Sequence, residues 1–75
     1  MKELVEYIAR SIVDKPDEVQ VTETKDEAGV ILVLHVAAED MGKVIGRQGR
    51  IAWAIRTLIK VVAVRQGVKV TLNIE

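Results

Sequence analysis

Gly42-Lys43-Val44-Ile45-Gly46-Arg47-Gln48-Gly49-Arg50-Ile51 is the stretch on which the reading of this sequence turns. Gly46 and Gly49 stand three residues apart, with apolar Val44 and Ile45 before them, Ile51 after them, and Lys43, Arg47 and Arg50 around them. A glycine has no Cβ, so a phosphodiester can approach the backbone closely there. If the pair forms a turn between two helices, the second helix aims its unpaired N–H groups and positive dipole end at the same spot. The spacing alone is weak, because short motifs recur by chance. Its meaning depends on what flanks it.

Upstream, Asp40 suits the N-cap of a short helix through Met41–Ile45, which Gly46 stops. Downstream, a helix from near Gly49 to about Gln66 carries a buried stripe of Ile51, Ile55, Leu58, Ile59 and Val62, and Gly67 supplies its C-terminal stop. Trp53 falls on the other side of that wheel, near Thr57, Lys60 and Val64 and bordered by Val61. The turn therefore separates two helices.

The remaining elements complete a frame around it. Residues 3–14 carry Leu4, Val5, Ile8, Ala9 and Ile12 at helical spacing, and Pro16 ends that helix. Residues 18–24 alternate as a short half-buried strand, and a polar turn ends in Gly29. Residues 30–37 are β-branched and nearly all apolar, as a central strand is. In the last segment Val68, Val70, Leu72 and Ile74 face one way and Lys69, Thr71, Asn73 and Glu75 the other. The order is α-β-β-α-α-β. A tight turn pairs the first two strands antiparallel, and two intervening helices allow a parallel crossover to the third. The expected class is α+β: a three-stranded mixed sheet with helices on one face. His35, Ile31 and Val33 would lie on the uncovered face.

The formal net charge is zero, but its distribution is uneven. Residues 1–40 hold ten acids against four bases, whereas residues 41–74 hold seven bases and no acid. Such asymmetry points to contact with a polyanion, and its plainer explanation is pairing of one half with the other inside the fold. The chain has 75 residues, so one domain spanning 1–75 is expected, with a β-α-α-β core over about 29–75. Phe is absent and there is one Trp and one Tyr, which argues against an aromatic base-stacking platform. Without cysteine there is no disulfide, thiol nucleophile or thiolate metal site. His35 is the single histidine and no further ligands converge on it, so no metal is expected. No nucleophile–base set is visible; neither an enzyme nor a cofactor is expected. The N-terminus reads as no targeting peptide, and a cytoplasmic location with no membrane contact and no small-molecule substrate is the expectation.

Lys43 to Ile51 resembles the signature of KH domains, whose four-residue glycine loop clamps a nucleic-acid backbone. The element order is similar to the type II arrangement. With Ala52-Trp53-Ala54-Ile55-Arg56-Thr57 following, the whole chain resembles the bacterial stand-alone KH proteins of the KhpA family. Trp53 departs from that pattern, where a small or basic residue is expected. The resemblance implies single-stranded RNA as partner, with about four nucleotides held in a groove. It implies an apolar floor of Val44, Ile45 and Ile51 and phosphate contacts from Arg47, Gln48 and Arg50 beside Lys43, Gly46 and Gly49. The opposite wall would be the central strand and the loop after the first strand. It further implies an RNA chaperone working as a homodimer, or as a heterodimer with a KhpB-type RNA-binding protein, in cell-shape and cell-wall homeostasis. A different reading is a protein–protein module with weak or no RNA affinity, using the face of Trp53, Thr57, Lys60, Val61 and Val64, since Trp is enriched at interface anchors.

Overall fold

The apolar spacing of the first segment becomes helix α1, Lys2–Ile12, in the computed structural model, which describes residues 1–75. It buries Val5 and Ala9 and keeps Leu4 and Ile8 half-buried. The chain leaves α1 in extended conformation at Val13 and makes a short 3-10 turn at Pro16–Glu18. Strands β1, Gln20–Asp26, and β2, Gly29–His35, pair antiparallel across a turn in which the Asp26 carboxylate accepts from the Ala28 and Gly29 amides. Helix α2, Met41–Ile45, the turn Arg47–Gly49 and helix α3, Arg50–Gln66, then carry the chain over to β3, Val70–Ile74, which pairs parallel with β2. The sheet order is β1-β2-β3, so the apolar strand is central, as its composition requires.

Alternation along β2 divides the sheet into two faces. Val30, Leu32 and Leu34 are buried beneath the helices, while Ile31, Val33 and His35 lie on the uncovered face in register with Thr24, Thr22 and Gln20 of β1. The core joins these strand residues to Val5 and Ala9 of α1, Val44 of α2 and Ile55 and Ile59 of α3. No helix is long and apolar enough to cross a membrane.

Three details depart from the sequence reading. The buried stripe of α3 is Ala52, Ile55, Ile59 and Ala63; Leu58 is 53% exposed and Ile51 39%. Ile55 and Ile59 join the core cluster from α3, with Ala52 and Ala63 buried on the same stripe, and Leu58 and Ile51 fall outside it. Val68 precedes β3 rather than joining it: its N–H bonds to the Ala63 carbonyl, closing the end of α3 around left-handed Gly67 (φ 71°). Asp40 does not cap α2 with its side chain. It is buried, and its carboxylate accepts from the amides of Asp14 at 3.1 Å and Lys15 at 3.0 Å, fastening the segment after α1 to the start of α2.

Candidate nucleic-acid interface

The turn between α2 and α3 is built from three residues with positive φ: Gly46 (77°), Gln48 (57°) and Gly49 (73°). The two glycines serve different needs. Gly46 has ψ 175°, a region open essentially to glycine alone, and a Cβ there would stand 2.6 Å from Ile51 Cγ1. A Cβ on Gly49 would meet nothing within 4 Å, so the backbone there is open to an approaching group. The Gly49 amide closes onto the Gly46 carbonyl and that of Arg50 onto Arg47. No side chain caps α3, so the positive end of its dipole stays unneutralised by the fold.

The side chains around the turn divide between the solvent and the core. Arg47, Gln48 and Arg50 are exposed, and the one bond among them runs from Arg50 Nη2 to Gln48 Oε1 at 3.2 Å. Val44 does not join an apolar floor: it is fully buried, and Ile51 and half-buried Ile45 are the apolar groups left near the turn. Lys43 is not a free cation. Its ammonium pairs with Asp14 and lies 3.5 Å from Asp40, and the Asp14 hydrogen bond is the main cause holding its pKa above the ordinary lysine value. Burial pushes the Asp40 carboxyl up, but the Asp14 and Lys15 amides and the Lys43 charge outweigh it and leave its pKa below the usual range. Lys15 in turn pairs with Glu39.

Pairing between the acidic and basic halves goes little further. Lys43 is the only base from the second half in an ion pair; Arg47, Arg50, Arg56, Lys60, Arg65 and Lys69 have no acidic partner.

The central strand offers no wall to a groove on the helix side, because β1 and β3 take both its edges and the helices cover that face; only the face of Ile31, Val33 and His35 is open. The groove beside the turn's own helix is instead bounded by α3 and the outer side of β3. It holds about 540 Å³, with Ile59, Ala63 and Val70 among its apolar lining and Arg56, Lys60 and Lys69 as its charges. It begins near Arg56, seven residues up α3 from Gly49, or about 10 Å at the helical rise. Arg56 Nε donates to the Leu72 carbonyl at 3.1 Å across it. The sequence placed Lys60 on the Trp53 face and counted Arg56 and Lys69 among the bases of an acid-free half; that helix and strand bring the three together was not legible. On the other side of the ridge formed by Lys60 and Val64 lies the outer face of α3, where Trp53 is 69% and Val64 70% exposed, with Thr57 and Val61 between them.

The family described as KhpA/KhpB, KH domain, matches residues 2–74. The chain is 61% identical over 74 residues to the RNA-binding protein KhpA of Clostridium acetobutylicum, covering 99% of each chain. It is 58% identical to that of Clostridium perfringens and 53% identical to that of Caldanaerobacter subterraneus, again over 99% of each chain. No solved structure matches it.

Proposed function

Because this chain belongs to the KhpA/KhpB KH-domain family, we propose that it is a non-enzymatic, cytoplasmic binder of single-stranded RNA. Its named relatives are RNA-binding proteins. The observation that carries the reading to this chain is the turn itself: open backbone at Gly49, with Arg47, Gln48 and Arg50 exposed and without an acidic partner. Gly46 through Arg50 hold the RNA backbone, Ile45 and Ile51 meet the first base, and the strand continues into the groove between α3 and β3. Lys43 acts at longer range, since its charge is partly met by Asp14 and Asp40. One small groove supports micromolar affinity, about −8 kcal/mol.

The test is Arg47→Asp combined with Gln48→Asp. Both side chains are exposed, and Asp tolerates the left-handed backbone that position 48 needs. The double variant should keep its circular dichroism spectrum and lose RNA binding in fluorescence anisotropy. A folded double variant that binds RNA like the wild type sinks the assignment.

The outer face of α3 supports a second activity. Trp53, Leu58, Val61 and Val64 are all at least half exposed on one helix, which is an association surface for a second copy or a KhpB-type partner. Pairing two RNA-binding units raises apparent affinity through effective concentration; the role of such a pair as an RNA chaperone in cell-shape and cell-wall homeostasis is what the family resemblance implies. If the wild type has no RNA affinity at low salt, that face is the functional site in its own right.

A further inference from the structure

We propose that the groove between α3 and β3 selects keto bases, uracil and guanine, over the amino bases cytosine and adenine, and that Arg56 sets the choice. The inference rests on the RNA-binding reading above. β3 is an edge strand. The residues that flank it bond to β2: the Lys69 carbonyl accepts from the Val30 amide, and the Glu75 amide donates to the Leu34 carbonyl. The residues in alternate register, Val70 and Leu72, therefore turn their backbone groups away from β2. The Leu72 carbonyl shows this directly, since it accepts from Arg56 on α3.

The hydrogen-bonding inventory of the groove is lopsided. Its charged side chains are Arg56, Lys60 and Lys69, all donors, and no carboxylate or side-chain amide lines it. Of the outward carbonyls, that of Leu72 already takes Arg56. Beside Arg56 the exocyclic amino group of cytosine or adenine meets donors, and the outward carbonyl there, that of Leu72, is already taken; the Val70 carbonyl, two residues back along β3, is the remaining outward acceptor. The O4 of uracil, or the O6 and N7 of guanine, offers acceptors to the guanidinium N–H groups that Leu72 leaves free. Cations with no acid between them also suit a polyanionic strand.

Arg56 could instead merely cover the edge of β3 against strand addition. Base preference separates the two roles. Uracil and cytosine differ at C4 by a keto oxygen against an amino group, so short labelled oligouridylate and oligocytidylate isolate the contact. In fluorescence anisotropy the full chain should bind oligouridylate about tenfold tighter, the scale of one good base contact. Arg56→Ala should bring the two affinities toward equality, through weaker uridylate binding and a freed Leu72 carbonyl. Arg56→Lys keeps the charge without the fork and should also lose most of the ratio. Wild-type binding to oligocytidylate as tight as to oligouridylate overturns the inference, as does a uridylate preference that survives in folded Arg56→Ala. Binding without preference overturns this inference alone; no binding to either strand at low salt overturns the RNA reading with it.

Discussion

At the scale of single residues, the glycine turn asks different things of its two glycines. Gly46 occupies a glycine-only backbone region and its missing Cβ is the space that Ile51 fills. Ile51 is β-branched and stiff, so it cannot easily swing away. Gly46→Ala should therefore lower stability in urea denaturation by about 3 kcal/mol. Gly49→Ala meets open space and carries only left-handed strain, about 1 kcal/mol. Equal losses in the two variants would contradict this division. The spacing of the pair was legible in the sequence, but not the division of labour, because it depends on which side chain folds back over which glycine. Val44 shows the same limit. An apolar residue beside a site reads equally well as groove lining or as core, and here packing made it core.

At the scale of elements, α3 has apolar residues around most of its circumference, so periodicity could not say which of them face the sheet. Ile59 is 1% exposed and Leu58 53%. Ile59→Ala should cost about 2–5 kcal/mol, whereas Leu58→Ala should stay within about 0.5 kcal/mol. Both are read by urea denaturation at protein concentrations low enough to leave any association out. The Asp40 clasp joins two elements that the sequence left unconnected. Its carboxyl is held below the ordinary value of about 4. A lowered carboxyl stabilises the fold above that ordinary value and loses its contribution as pH falls through the folded one. Asp40→Asn should therefore melt earlier at neutral pH and show a shallower loss of stability below about pH 4, followed by circular dichroism. An acid limb as steep as the wild type's would mean that other carboxyls carry it. The clasp was invisible in sequence because its partners are backbone amides 25 and 26 residues away, and an aspartate before a helix ordinarily reads as its cap.

At the scale of the whole molecule, a formally neutral chain leaves six bases of its second half without an acidic partner. Two or three phosphate contacts give RNA binding a log–log salt slope of about −2; a slope near zero in a salt titration would argue against backbone clamping. Trp53→Glu should abolish self-association in sedimentation velocity while leaving the turn intact, because a charge on an exposed apolar anchor costs an interface far more than a fold. Its effect on RNA affinity then reports how far pairing contributes. The sequence by itself determined the element order, the mixed sheet with β2 at its centre, the helix–turn–helix around Gly46 and Gly49, and the acid-free second half. These follow from local periodicity, turn chemistry and counting. Only the tertiary structure decided that Lys43 is engaged by Asp14 and Asp40, that Val44 belongs to the core, and that Arg56 crosses to β3 to form a groove with Lys60 and Lys69. The physical reason is common to all three. Burial and hydrogen bonding at these positions are set by neighbours distant in the chain, and no period along the sequence encodes which of them will meet.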